Sequence, residues 1–226
     1  MARTDIIPMD AVVFDLDGTL VDTLPISLLG TRHVFERFVS RAVPDEEIIP
    51  LYGTPLIDIM ARYRPDKAQE MVDAFEEFYL EHHRELVKPF PGVMEMLSGL
   101  RERGYPLAVL SNKRKEPGLR ELLVCGLDVY FHSVLFLEDL KTPKPAAEAL
   151  RQSARALGLP GATRVLYVGD SVLDVLCAHN AGARSAAALW AGLARAEGLI
   201  AQRPDHLLES AEDLLALCPP RNGATG

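Results

Sequence analysis

Cysteine is scarce in this chain of 226 residues, which contains three, and tryptophan occurs once. Cys125, Cys177 and Cys218 are an odd number without the spacing of metal ligands, which argues against a disulfide framework and a zinc site. Long apolar runs are also absent: none approaches the length of a membrane helix, and the N-terminus lacks a signal-peptide pattern. We therefore expect a cytoplasmic protein with no membrane partner.

Positive charge is in deficit, with 24 lysines and arginines against 32 aspartates and glutamates and a net charge of -8. This balance argues against nucleic acid or an anionic membrane surface as the main partner, because both attract basic proteins. It does not exclude a small anionic substrate, since a bound metal ion and a few local cations can reverse the sign of the charge inside a cleft.

The most informative stretch begins with four apolar residues at 11–14, which predict a short buried strand. Asp15 and Asp17 follow this strand directly, and Gly18-Thr19 come next. Ligands of open α/β sheets bind beyond the carboxyl ends of the strands, where these two carboxylates would lie. Two carboxylates this close repel each other unless they share a proton or bind a hard cation such as Mg²⁺. Taken alone, the stretch could also be a simple turn.

Residues 23–88 have apolar residues at helical spacing and no convincing strand. Helices are predicted at 24–39, 56–63 and 66–87, with another helix start at 44–47. Prolines at 89 and 91 then end the helical pattern. We therefore predict a core domain of residues 1–22 and 89–226, interrupted after its first strand by a small all-helical domain at 23–88.

Beyond residue 92, predicted helices and strands alternate. The strands are predicted at 106–110, 133–136, 164–168, 185–189 and 206–208, and the helices at 93–103, 116–125, 145–157, 172–180 and 211–217. Such alternation predicts an α/β fold, in which a Rossmann-like, mostly parallel sheet is covered by helices on both faces. We expect residues 1–9 and 219–226 to be loose terminal segments.

Polar side chains follow several of the predicted strands: Asp15, Asp17, Ser111, Asn112, Lys144, Asp170 and Asp174. Each has an ordinary interpretation, because lysines are usually on the surface, Ser-Asn pairs are common in turns and caps, and acids are common in the first turn of a helix. Parallel strands, however, bring their carboxyl ends to one edge of the sheet. The ordered set therefore favours an active site.

In this order, the residues resemble the four motifs of the haloacid dehalogenase-like superfamily of phosphohydrolases. Residues 15–19 (Asp-Leu-Asp-Gly-Thr) resemble the first motif, Ser111 the second, Lys144 the third, and Asp170 with Asp174 the fourth. The resemblance extends over essentially the whole chain. The helical insertion is similar to the alpha-helical cap of the phosphoglycolate phosphatase-like subgroup, as are the segments 22–23, 111–113, 130–131, 143–145 and 189–190. Ala147 departs from the subgroup, whose members usually have a proline there.

The resemblance implies that Asp15 is a nucleophile that forms an aspartyl-phosphate. Asp17 would protonate the leaving oxygen and then activate water. Lys144 would neutralise charge and hold Asp15, while the Ser111 hydroxyl and the Asn112 backbone N–H would bind a phosphate oxygen.

The resemblance also implies Mg²⁺ as the cofactor. Asp15, Asp170 and the backbone carbonyl of Asp17 would hold the ion. Asp174 would orient metal-bound water.

The substrate implied is a small phosphorylated metabolite, with phosphoglycolate first. Pyrophosphate, nucleotides and sugar phosphates remain alternatives, and the enzyme could be a monomer or a homodimer. In the subgroup a cap loop helps to choose the substrate, and its best candidate here is Tyr52, Gly53 and Thr54. Thr54-Pro55 stand where mutase relatives tend to have a basic residue, which argues against a phosphosugar mutase. The presence of Asp17 argues against dehalogenation.

A non-catalytic phosphate-binding protein is a further alternative, which the intact set of Asp15, Asp17, Lys144 and Asp170 disfavours. Arg62 and Arg64 could grip a substrate carboxylate, although solvent exposure is the simpler expectation. The three basic residues at 113–115 are interpreted as a solvated helix start.

Overall fold

The computed structural model describes residues 9–192 and 196–221. The predicted loose segments at 1–9 and 219–226 therefore fall largely outside the described residues. The chain divides into two compact units, one of residues 1–22 with 89–226 and one of residues 23–88. We call them the core unit and the helical unit.

The strands are β1 (Ala11–Phe14), β2 (Val21–Asp22), β3 (Lys88–Pro89), β4 (Leu107–Leu110), β5 (Ser133–Leu135), β6 (Val165–Gly169), β7 (Arg184–Ala188) and β8 (His206–Leu208). Six of them form one sheet in the order β5-β4-β1-β6-β7-β8, and every neighbouring pair is parallel. β2 and β3 form a separate two-stranded sheet. The predicted α/β class with a mostly parallel sheet is confirmed.

The helical unit consists of α1 (Leu24–Phe38), α2 (Asp45–Ile48), α3 (Leu56–Tyr63) and α4 (Ala68–Leu86), with a short 3-10 turn at Ile49–Leu51. Its apolar residues recur at helical spacing, so each helix presents one apolar side. These sides enclose a small core that includes Val34, Phe35, Met60 and Met71. The helical unit therefore has a hydrophobic centre of its own.

The remaining helices belong to the core unit: α5 (Val93–Glu102), α6 (Lys115–Val124), α7 (Ala147–Ala156), α8 (Val172–Ala181), α9 (Ala196–Ala201) and α10 (Ala211–Leu217). α9 is not among the predicted helices, because six residues with Gly198 among them show too little helical periodicity. No helix within the described part of the chain has the length and apolar character needed to span a membrane.

The central strands explain where the polar residues converge. β1 is fully buried and pairs with β4 on one side and β6 on the other. A strand buried on both faces needs apolar residues at every position, which is what Val12, Val13 and Phe14 supply. Since all three strands run in the same direction, the residues that follow them lie along one edge of the sheet.

Candidate active site

Most of the core residues predicted from the sequence follow a central strand, and Lys144 lies in the loop before α7. Asp15 follows β1, Ser111 and Asn112 follow β4, and Asp170 follows β6. Lys144 precedes α7, and Asp174 lies in the first turn of α8. The structure brings Asp15, Lys144, Asp170 and Asp174 together, and all four are buried.

The ammonium of Lys144 lies between two carboxylates. Its Nζ is 2.9 Å from Asp15 Oδ1 and 2.6 Å from Asp174 Oδ1. Burial lowers the pKa of Lys144, but the two neighbouring carboxylates raise it by more, so the net shift is upward. The lysine therefore stays charged.

Three carboxylates, those of Asp15, Asp170 and Asp174, place one oxygen each within 4.8 Å of one another. Burial raises the pKa of Asp15 to about 6 even though Lys144 opposes the shift. Burial, followed by repulsion from Asp15 and Asp174, also raises the pKa of Asp170 well above its ordinary value. Apart from its ion pair with Lys144, Asp15 Oδ1 is buried without a partner in the described part of the chain.

The cluster fits a divalent cation on chemical grounds. Its ligand atoms are carboxylate oxygens, the type that hard cations prefer, and a single lysine leaves part of their negative charge uncompensated. A bound cation would relieve the repulsion among these three carboxylates. The residues present are therefore suited to hold a metal ion.

The turn after β1 shapes this cluster. Gly18 has a φ of +75°, a conformation that side chains rarely adopt. A Cβ at this position would lie 2.3 Å from Asp170 Oδ2. The next residue, Thr19, donates a hydrogen bond of 3.0 Å from its hydroxyl to Asp170 Oδ1. The stretch is thus a turn, as its composition indicates, and the turn makes room for Asp170 and orients it.

Asp174 is fixed by several groups that are not among the predicted site residues. Its Oδ2 accepts hydrogen bonds from the backbone N–H and the hydroxyl of Ser171 at the start of α8. The hydroxyl of Tyr167, buried in β6, lies 3.0 Å from Asp174 Oδ1 and 2.8 Å from the carbonyl oxygen of Leu110. Tyr167 is a site residue that the predicted set does not contain, although a tyrosine in an apolar buried strand needs a partner for its hydroxyl.

Asn112 secures the backbone of Lys144 through its side chain. Its Nδ2 donates to the Lys144 carbonyl oxygen at 3.0 Å, and its Oδ1 accepts from the Lys144 N–H at 2.9 Å. The role predicted for Asn112 uses a different group, its own backbone N–H. Ser111 is buried beside it, and its backbone N–H donates to the Leu135 carbonyl oxygen.

The carboxylate of Asp17 has another neighbour, Lys113. Lys113 Nζ lies 2.8 Å from Asp17 Oδ1 and 2.6 Å from Oε1 of the fully buried Glu121 in α6. The expectation that residues 113–115 form a solvated helix start is therefore wrong for Lys113, whose side chain is 19% exposed. Arg114 and Lys115 pair with acids at more exposed positions.

The comparisons with known proteins identify the family. A family profile for haloacid dehalogenase-like hydrolases matches residues 12–188. The chain belongs to the haloacid dehalogenase-like hydrolases. The family that the sequence motifs predict is thus confirmed. The predicted class of enzyme, a hydrolase of phosphate compounds, is confirmed as well.

Two similar relatives of this hydrolase are pyrophosphatases named PpaX. The one from Bacillus velezensis is 33% identical over 205 residues, covering 91% of this chain and 94% of that protein. The one from Halalkalibacterium halodurans is 34% identical over 208 residues, covering 92% and 95%. A solved structure of a predicted phosphoglycolate phosphatase from Haemophilus somnus 129PT has a TM-score of 0.82 at 23% identity, covering 93% of this chain and 98% of that one. The last similarity shows the fold alone.

In the helical unit of this hydrolase, Tyr52, Gly53 and Thr54 lie in a turn after the 3-10 segment. The Tyr52 hydroxyl is 2.7 Å from the hydroxyl of Thr23 in the same unit. Arg64 binds Asp66 through two guanidinium nitrogens and also the Phe38 carbonyl oxygen. The part that these residues and Arg62 play in substrate choice stays a prediction.

Proposed function

We propose that this hydrolase is a Mg²⁺-dependent phosphatase that acts on a small phosphate compound through an aspartyl-phosphate on Asp15. The observation that supports this most directly is the buried group formed by Asp15, Lys144, Asp170 and Asp174. Buried charges are costly to a fold and concentrate where chemistry needs them. We expect no nucleic-acid or membrane partner, and action in the cytoplasm as a monomer or homodimer.

In the first step a carboxylate oxygen of Asp15 attacks phosphorus, and the bond between phosphorus and the leaving oxygen breaks. Asp17 gives its proton to that oxygen. In the second step water attacks phosphorus of the aspartyl-phosphate, Asp17 takes a proton from the water, and Asp15 is released with inorganic phosphate. The buried ammonium of Lys144 holds Asp15 in place throughout.

Phosphoryl transfer depends on alignment and on neutralising charge at the equatorial oxygens. The Ser111 hydroxyl, the Asn112 backbone N–H and the Lys144 ammonium would bind those oxygens. Asp15, Asp170 and the backbone carbonyl of Asp17 would hold Mg²⁺, which when bound supplies further positive charge to the phosphoryl group.

Pyrophosphate is the substrate to test first. Its support is the similarity to the two PpaX pyrophosphatases, which extends over more than 90% of this chain in both cases. Phosphoglycolate is the second candidate, supported by the motifs that the chain shares with the phosphoglycolate phosphatase-like subgroup. Thr54-Pro55 disfavour a mutase for the reason given above.

The test is phosphate release by the purified full chain with Mg²⁺, with and without EDTA. The panel contains pyrophosphate, phosphoglycolate, a nucleoside monophosphate and a hexose phosphate. We expect turnover that EDTA abolishes, with pyrophosphate first. Preference for another member would replace the substrate while keeping the chemistry. Folded protein that releases no phosphate from any member, or that needs a bisphosphorylated activator, would contradict the proposal.

A further inference from the structure

The buried acid Glu121 belongs to none of the four catalytic motifs, so the proposed mechanism does not explain its burial. It lies in α6 with no exposed surface, and its Oε1 is 2.6 Å from Lys113 Nζ. A carboxylate buried in this way costs several kcal/mol unless a cation compensates it. A glutamine or an apolar residue would fill the same space at less cost.

Lys113 connects Glu121 with the active site. Its ammonium is within 2.8 Å of both carboxylates, those of Glu121 and Asp17. Burial alone would lower the pKa of Lys113, but the two acids raise it above its ordinary value. The backbone N–H of Lys113 also donates to the Ser111 hydroxyl at 3.3 Å, and its carbonyl oxygen accepts from Leu137 N–H. The lysine is thus held at its backbone and at its ammonium.

The packing of α6 permits this connection. Gly118 lies on the helix three residues before Glu121, and therefore on the same side. A Cβ at Gly118 would lie 2.2 Å from the ring of the buried Phe136. Only a glycine lets the helix approach this closely, and the approach brings Glu121 within reach of Lys113.

We propose that Lys113 and Glu121 are a positioning pair that fixes the carboxylate of Asp17 for both of its proton transfers. Glu121 holds the Lys113 ammonium, and the ammonium holds Asp17 Oδ1, so that the carboxylate of Asp17 is fixed in orientation. Neither Lys113 nor Glu121 touches the reacting atoms. The inference rests on the proposed function, because it concerns the acid and base of that reaction.

The experiment compares two leaving groups in the variant Lys113→Met/Glu121→Gln. Both charges are removed together because breaking one partner would leave the other buried and uncompensated. With an alkyl phosphate such as phosphoglycolate, whose leaving oxygen needs a proton, we expect kcat to fall about 100-fold. With p-nitrophenyl phosphate, whose leaving group departs without a proton, the first turnover should stay fast and the second step should be slow.

The diagnostic readout is therefore a burst of p-nitrophenolate, close to one equivalent per active site, that the wild-type protein lacks. Asp17→Asn should show the same burst. Adding Lys113→Met and Glu121→Gln to Asp17→Asn should lower kcat by less than a further threefold. Lys115→Met is the matched control, since this neighbouring lysine pairs with Asp139. It should behave as wild type.

The outcomes separate the two proposals. If wild-type protein releases no phosphate from these two compounds or from any member of the panel above, the proposed function fails. The double variant could instead keep wild-type activity, or lose activity equally toward both compounds without a burst. Either result in the presence of an active wild type overturns the proposed positioning pair and leaves the proposed phosphatase activity intact. If the double variant does not fold by circular dichroism, Glu121→Gln alone is measured in the same way, and absence of a burst there overturns the proposal.

Discussion

The two units of the chain differ in how deeply the ion pairs compared below are buried. In the core unit, the side chains of Lys144 and Asp174 are 3% and 2% exposed and 2.6 Å apart. In the helical unit, Arg41 and Glu47 form a pair at a similar distance, but their side chains are 54% and 37% exposed. Exposed pairs contribute little to stability, whereas a buried ion pair carries a desolvation cost that its attraction need not recover. The buried charges therefore indicate chemistry, and the exposed ones indicate an ordinary solvated surface.

The largest effect should come from Asp15→Asn, which removes the nucleophile at the centre of the buried cluster. We expect phosphate release to fall by about 10⁴-fold or more, because an amide does not form the aspartyl-phosphate. The melting temperature should not fall, since one of several mutually repelling carboxylates is removed. A variant with wild-type turnover would overturn the assignment of the nucleophile.

Lys144→Met should come next, because it leaves the carboxylates of Asp15 and Asp174 without their cation. We expect kcat to fall about 10²- to 10³-fold. We also expect a loss of about 3 kcal/mol in the free energy of unfolding, measured by urea denaturation at pH 8. Lys115→Met, an exposed lysine of the same type, should change neither quantity measurably. Equal effects of the two substitutions would contradict the prediction that only the buried charge matters for activity and stability.

Mg²⁺ should stabilise the protein in a pH-dependent manner. In metal-free protein the pKa of Asp15 is raised to about 6 from 3.8, so its contribution to stability is present below about pH 4 and is lost as the pH rises through 6. Above pH 6 the carboxylate is ionised and ready for a cation. We expect a stabilisation of about 3 kcal/mol at pH 8 with Mg²⁺ at 100 times its Kd. The rise in melting temperature should be smaller at pH 5, and a rise independent of pH would contradict the site.

The smallest effect should come from Arg41→Ala in the helical unit. Because the Arg41–Glu47 pair is exposed, we expect less than about 1 kcal/mol of lost stability. Phosphate release should stay within twofold of wild type. Thermal denaturation and the phosphate assay of the same preparation measure both. A loss comparable to that of Lys144→Met would show that exposure is a poor guide to the role of a charge in this chain.

Much of the fold could be predicted because the deciding information is local. β1, β4 and β6 are short apolar runs, and the polar residues of the candidate site follow them in sequence. The parts of the site that could not be predicted depend on tertiary contacts. The sequence does not predict the burial of Lys113, because its partner Glu121 lies eight residues away, on a side of α6 whose burial depends on packing at Gly118. The role of Tyr167 is not visible in the sequence, because the contact of its hydroxyl with Asp174 depends on the packing of α8 against β6.

The strand order has a consequence for biosynthesis. β1 emerges first from the ribosome, yet Val12 pairs with Leu107 and Ala11 pairs with Val165, which are translated much later. Residues 23–88 form a compact unit, so we expect them to fold before the partner strands of β1 have been translated. The nascent chain therefore exposes the apolar segment Ala11–Phe14 for most of its translation. Until β6 has been made, we expect this segment to be prone to aggregation.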